Sequence, residues 1–177
     1  RRQLRLPVDG GYGVATQAEM PTISLRPINP ATDMELFFEM HRDPVANQMA
    51  AFTAKDPDDR AAFDAHWERI LSSENVINRA ILCDGELAGS IAKFEMFGKT
   101  NVAYGVRRAL WGRGIASLAL ALFLDEVSER PLYGRCAADN LGSLRVLQKC
   151  GFKEVERERG YAEARGEEIE EIVLRLD

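Results

Sequence analysis

The sequence predicts an α/β domain of the α+β kind, with about seven strands and four helices. Three observations carry the prediction. Alternating apolar and polar residues mark three consecutive short strands between residues 76 and 106. Turn chemistry then opens two helices, with a strand between them. Two more strand-like runs close the chain, giving the order β-α-α-β-β-β-α-β-α-β-β. A length of 177 residues suits one domain, and a chain of this size buries roughly 70% of its unfolded surface.

The elements follow in order. Residues 1–20 read as an N-terminal extension that mixes Arg1, Arg2 and Arg5 with the loose run Gly10-Gly11-Tyr12-Gly13. Met20 directly precedes a strand-like run, Thr22 to Ile28, and is the expected functional start of a domain over 21–177, on which the extension is expected to dock. Helix-start chemistry at Asn29 to Thr32 leads into a helix over Asp33 to His41. A second helix follows Asp56-Pro57-Asp58-Asp59 and runs to about Leu71, with Phe63, Trp67, Ile70 and Leu71 on one face. Strands over about 76–83, 86–97 and 101–106 come next. Asp84-Gly85, a strong hairpin signal, joins the first two. Gly98-Lys99-Thr100 reads as the turn between the last two. An apolar helix runs from Ile115 to about Glu129, and Pro131 ends it. A strand, Leu132 to Ala137, returns. The helix Leu141 to Cys150 has Asn140 as N-cap and Gly151 just past its end. Strands over about 153–159 and 168–176 finish the chain.

Charge is unevenly spread behind the net value of −5. Residues 104–149 hold seven bases against four acids, whereas 31–75 hold four against ten and 154–177 four against nine. The overall acidity argues against nucleic acid as the main ligand, and the acidic segments suit a cationic substrate. The longest apolar run, about ten residues, is too short to span a bilayer, and no signal-peptide pattern is present, so no membrane role is expected. Cys83, Cys136 and Cys150 show no CxxC spacing, and His41 and His66 have no cysteines beside them. Neither a metal site nor a disulfide framework is expected, and a cytoplasmic location is.

The most informative stretch is Trp111-Gly112-Arg113-Gly114-Ile115-Ala116, a glycine-rich turn that opens a helix. Such a turn offers unpaired backbone N–H groups at the positive end of the helix dipole, which binds phosphate. The basic segment coincides with it. Two rival phosphate motifs fail on the residues. A dinucleotide fingerprint needs a third glycine where Ser117 stands, and it usually opens its fold instead of following a meander. A P-loop ending at Gly98-Lys99-Thr100 would need glycine at Lys93 and a helix where a strand follows.

About 25 residues on comes the run Asp139-Asn140-Leu141-Gly142-Ser143-Leu144-Arg145-Val146-Leu147-Gln148-Lys149-Cys150-Gly151-Phe152. With the glycine turn before it, this run resembles the paired motifs of the GNAT acetyltransferases, and is most similar to the branch containing the ribosomal-protein N-terminal acetyltransferases. The resemblance covers about residues 22–176. It implies a GNAT-type mixed, mostly antiparallel central sheet of about seven strands flanked by four helices, splayed between its fourth and fifth strands, with acetyl-CoA in the gap. The backbone of Gly105 and Val106 would pair with the pantetheine like an added strand. Trp111, Gly112, Arg113, Gly114, Ile115, Ala116 and Ser117 would cradle the pyrophosphate, with Arg113 adding charge. Asn140 would hydrogen-bond the pantetheine arm while also capping its helix.

Transfer in that family is direct, so the resemblance requires no nucleophilic cysteine. The leaving thiolate needs a proton. Many relatives place a Tyr donor four residues before the Gly-Phe pair, where this chain has Leu147; Ser143 matches the serine that serves in the N-terminal-acetyltransferase branch. Bonding back to the cap is its other role. Relatives often carry a Glu base on the fourth strand, where Asn101 stands here. Glu95 on the preceding strand is the candidate substitute, acting through a water. Tyr104 and Asn101 would shape the acceptor pocket, and Glu167 and Glu168 are further candidates for the base.

A weak base has an energetic consequence. Neutralising a lysine amine of pKa ~10.4 at pH 7 costs about 4.6 kcal/mol, and an α-amine of pKa ~7.8 only about 1.1 kcal/mol. The expected function is therefore transfer of acetyl from acetyl-CoA to a primary amine, the α-amine of a peptide, protein or small metabolite being favoured. The acceptor would enter between the first two helices and the terminal hairpin. A catalytically silent acyl-CoA-binding module is the alternative, motivated by the missing Tyr and Glu. A homodimer through the terminal strands is left open.

Overall fold

The computed structural model describes residues 20–177. The expected docking of the N-terminal extension, Met20 apart, lies outside them. The elements are β1 (Ile23–Arg26), α1 (Met34–Arg42), α2 (Pro44–Ala50), α3 (Arg60–Leu71), β2 (Ile77–Cys83), β3 (Glu86–Met96), β4 (Lys99–Val106), α4 (Ile115–Glu126), β5 (Leu132–Ala137), α5 (Leu141–Lys149), β6 (Lys153–Ala162) and β7 (Glu167–Leu176). A 3-10 turn, Arg108–Leu110, stands between β4 and α4. The strands form one seven-stranded sheet in the order β1-β2-β3-β4-β5-β7-β6. Every neighbouring pair is antiparallel except β4 and β5.

Two sequence expectations need correction. Five α-helices accompany the sheet among the described residues, where four were expected. The extra one is α2, a seven-residue helix held by its cap. Asp43 Oδ1 accepts from the amides of Val45 (3.0 Å) and Ala46 (3.4 Å), and Pro44 fits the first helical position. Second, the β3–β4 turn is Phe97-Gly98, with φ of 54° and 69°, so Lys99 and Thr100 belong to β4. Two left-handed residues in a row make the mirror-image turn whose twist matches a hairpin, as at Asp84-Gly85.

The main core lies on one face of the sheet. Ile81, Ile91, Val102, Leu132, Ile172 and Leu174 pack there against Ile115, Leu120 and Phe123 of α4 and Leu147 of α5. The apolar run that reads as a buried helix is therefore one. α1 and α2 lie on the other face. Met40 of α1 approaches Gly105 of β4, and Ala51, just past α2, packs with Ala137 of β5 and Ala162 of β6. Between α1 and α3 sits an aromatic group in which Phe37 stacks on Trp67 at 5.0 Å and Phe38 tilts against Phe63 at 5.1 Å. Among the described residues no helix is long and apolar enough to cross a membrane.

Candidate active site

The parallel pair β4–β5 meets at a single row, Asn101 opposite Tyr133. Past that row the strands diverge. Among the described residues the β5-facing edge of β4 from Val102 to Val106 then has no strand partner, and unpaired strand groups invite an extended ligand to add itself. A cleft of about 140 Å³ opens in the gap. Ala103 and Tyr104 line it from β4, Arg135 and Cys136 from β5, Asn140 and Ser143 from the start of α5. Ala50, the last residue of α2, closes it from the other face.

The start of α5 sets the polar groups. Asn140 Oδ1 accepts from the Ser143 amide at 3.2 Å, which caps the helix and leaves the Asn140 amide group free to donate. Ser143 Oγ lies 3.0 Å from the Tyr104 hydroxyl, which also donates to the Ser143 carbonyl at 3.2 Å. Thus Ser143 does not fold its hydroxyl back onto the cap. It shares it with Tyr104, and Tyr104 stands on the α5 face as the partner of Ser143. Burial pushes the Tyr104 phenol well above its ordinary value, so it keeps its proton. Burial, with help from the Glu171 carboxylate, pushes the Cys136 thiol up to about 11. A thiol so protonated near neutrality is a poor nucleophile.

The glycine turn has the geometry of an anion cradle. Gly112 and Gly114 both hold φ at 77°, a region that only glycine enters freely. Gly114 is the N-cap of α4, and no side chain among the described residues caps the helix. A Cβ at either glycine would meet nothing within 4 Å, so the cradle is open. Buried Ile115 anchors the helix below it, and Ala116 and Ser117 are half-buried in its first turn. Trp111 donates its indole N–H to the Val106 carbonyl at 2.7 Å, tying the turn to the open edge of β4. Arg107, Arg113, Arg145 and Lys149 form no ion pair among the described residues and so leave positive charge for an anion.

Other candidates stand apart. Asn101 is 3% exposed at the closed end of the gap. Its amide donates to the carbonyls of Lys99 (2.8 Å) and Met96 (3.2 Å), bracing the hairpin. Its Oδ1 is buried without a hydrogen-bond partner among the described residues. Glu95 is exposed opposite Thr100, whose hydroxyl donates to it at 2.6 Å. That row is four residues from Tyr104, about 13 Å along a strand. Glu167 and Glu168 sit exposed in the terminal hairpin, opposite Ala162 and Tyr161.

Sequence reasoning missed two contributors. One is α2. Its cap residue Asp43 accepts Arg108 Nε at 2.8 Å, just before the glycine turn. Its Gln48 carbonyl accepts Arg165 Nε at 2.7 Å, and Arg165 grips Asp139 with both terminal nitrogens at 2.7 and 2.9 Å. The pair Asp43-Pro44 was the available signal. The other is Arg135. Its Nε donates to Glu171 at 2.8 Å, its Nη2 contacts Glu171 and Glu158, and its guanidinium lies 5.2 Å from the Phe97 ring centre.

Comparisons with known proteins identify the family and the fold. A family model described as an acetyltransferase (GNAT) domain matches residues 22–153. Among curated proteins no sequence match is found. Solved structures with a similar fold include Mycobacterium smegmatis RimJ in complex with CoA-disulfide, at 20% identity and a TM-score of 0.74, covering 87% of this chain and 81% of that one. Spermidine N-acetyltransferase from Vibrio cholerae, in complex with CoA and spermine, gives 12% identity and a TM-score of 0.75, covering 87% and 94%. RimL, a ribosomal L7/L12 alpha-N-protein acetyltransferase in complex with coenzyme A, gives 15% and 0.74, covering 88% and 93%.

Proposed function

This chain belongs to the GNAT acetyltransferase family, and we propose that it moves an acetyl group from acetyl-CoA directly to the α-amine of a peptide, protein or small metabolite. One observation carries the reading: Asn140, Ser143 and Tyr104 converge in a single cleft, beside a partnerless β4 edge. The residues present fit the donor. The Gly112–Gly114 turn and the first amides of α4 suit its pyrophosphate, with Arg113 exposed beside them. Gly105 and Val106 suit an extended amide chain. Trp111 uses one lone pair of the Val106 carbonyl, and the second is left for another donor.

Acetyl-CoA supplies an activated thioester. The amine nitrogen bonds to its carbonyl carbon, the carbon–sulfur bond breaks, the nitrogen gives up a proton and the sulfur gains one. Ser143 Oγ is our candidate donor to the sulfur: its proton would turn from the Tyr104 oxygen toward the leaving group, the Tyr104 contact fixing where the Oγ sits. Among the described residues the cleft is lined by no carboxylate or imidazole. The cost of freeing the amine therefore falls on the acceptor, and an α-amine bears it at about 1 kcal/mol against about 4.6 kcal/mol for lysine.

The test pairs acetyl-CoA with matched peptides carrying only an α-amine or only a lysine amine, following CoA release and product mass. Faster release with the α-amine is expected. A higher rate with lysine or a polyamine would overturn the acceptor class. Binding of acetyl-CoA without release for any amine would favour the silent module.

A further inference from the structure

Arg135 is out of place on an inner strand. It occupies β5, between Gly134 and Cys136, with a side chain only 12% exposed. A Cβ on Gly134 would strike Leu147 of α5, so by strand alternation Arg135 points to the opposite face, where Ala50 closes the cleft. Glu171 and Glu158 hold it along one edge, and Phe97 covers it. Five N–H donors sit on a guanidinium. Nε and Nη2 are spent on the carboxylates, and Nη1 makes no hydrogen bond among the described residues. Arg135 also lines the cleft that holds Ser143.

This guanidinium is fixed before any ligand arrives. Its charge is more than balanced, since one arginine faces two carboxylates, leaving the group at about −1. A free substrate carboxylate gains little there, and an ammonium approaching the cleft is drawn in. A neutral carbonyl can still accept from Nη1. In an α-amino acyl group the carbonyl oxygen lies about 3 Å from the amine nitrogen, which suits a cleft this small. We propose that Arg135 is an acceptor-specificity residue, donating through Nη1 to the carbonyl next to the attacking amine. The inference rests on the acetyl-transfer reading above and adds the residue that selects an α-amino acyl acceptor over a plain alkylamine.

The experiment compares two acceptors on the wild type, Arg135→Lys and Arg135→Gln. One is a short peptide with a free N-terminal alanine. The other is its analogue with the first carbonyl reduced to methylene. Each ratio of variant to wild type uses one acceptor, so amine basicity cancels. Arg135→Lys keeps the charge of the cluster and guards against a variant that fails to fold. The expected result is a KM for the peptide raised about 10- to 100-fold, the range of a lost charge-assisted hydrogen bond. The KM for the reduced analogue should stay within about threefold, and acetyl-CoA affinity by calorimetry should not move. Equal losses on both acceptors, or no loss on either, overturn the assignment. If the wild type itself acetylates only lysine or polyamines, the α-amine reading falls first and this one falls with it.

Discussion

Gly89→Ala offers a severe test, because its effect can be worked from the coordinates. A Cβ built on Gly89 of β3 falls 1.9 Å from the Gly105 carbonyl oxygen, 2.9 Å from its carbon and 3.0 Å from Val106 Cα. Real Cβ atoms essentially never approach closer than 3.0 Å, so the β3–β4 row must open by about 1 Å. Everything struck is backbone, and no rotamer change relieves it. Overpacking of this kind costs about 1–3 kcal/mol, and each weakened ladder hydrogen bond adds about 1 kcal/mol. A loss of about 2–4 kcal/mol is expected, which lowers Tm by roughly 6–12 °C in a domain of this size. The same displacement moves Gly105 and Val106, the residues assigned to the pantetheine, so the Kd for acetyl-CoA should rise at least about tenfold. Gly105→Ala is the control. Its Cβ would meet only Met40 Cε at 3.6 Å, an ordinary contact, and its Tm should move by no more than about 2 °C. Thermal unfolding and calorimetry read both quantities. A Gly89→Ala protein with unchanged Tm and Kd would refute the reasoning. A lowered Tm with an unchanged Kd would sever the β4 edge from donor binding.

Further outcomes follow from the same structure. Gly114→Glu should abolish measurable acetyl-CoA binding in calorimetry, since it forces a side chain into a left-handed position and places negative charge in the cradle. Tyr104→Phe removes the partner of the Ser143 hydroxyl; kcat should fall about 3- to 10-fold, the worth of a hydrogen bond near 1 kcal/mol, with donor affinity unchanged. Asp33, 1% exposed, accepts two bonds from Arg26 at 2.8 and 2.9 Å and one from the Asn29 amide at 2.7 Å. Arg26 first, then the Asn29 amide, hold its carboxyl below the ordinary carboxylate range against the pull of burial. Its contribution to stability is thus present above the unfolded value of ~3.9 and lost as pH falls through the folded one. Asp33→Asn should be less stable than wild type at pH 7 by about 2–4 kcal/mol, and the gap in denaturant midpoints should narrow below about pH 4.

Local signals made much of this fold legible. β5 begins and ends at Leu132 and Ala137, where alternation puts it. α5 has the expected cap and left-handed exit, Gly151 at φ 92°. The helix that begins at Ile115 stops at Glu126, short of the expected 129, because Val127 already turns to extended backbone. α2 escaped because seven residues make under two turns and carry no readable period, and only the pair Asp43-Pro44 marks it. The site was half legible for a related reason. The glycine turn and the Asn140 cap are local in sequence. The contact of Tyr104 with Ser143 spans 39 residues, and those of Arg135 with Glu158 and Glu171 span 23 and 36. No periodicity announces such pairs; they exist only once β4, β5 and the last hairpin share a sheet.

The helix α2 hangs between two arginines. Arg108, just before the glycine turn, holds its first turn, and Arg165, which grips Asp139 at the corner before α5, holds its last. The final residue of that helix, Ala50, lines the cleft. On the proposed reading donor and acceptor would both border this one helix, and a part held in common would make the two occupancies thermodynamic partners. Whatever factor the donor lends to acceptor affinity, an unreactive acceptor must return to the donor in equal measure. On that reading, removing either arginine should weaken the coupling, read as a smaller shift in acetyl-CoA Kd when an unreactive acceptor is added.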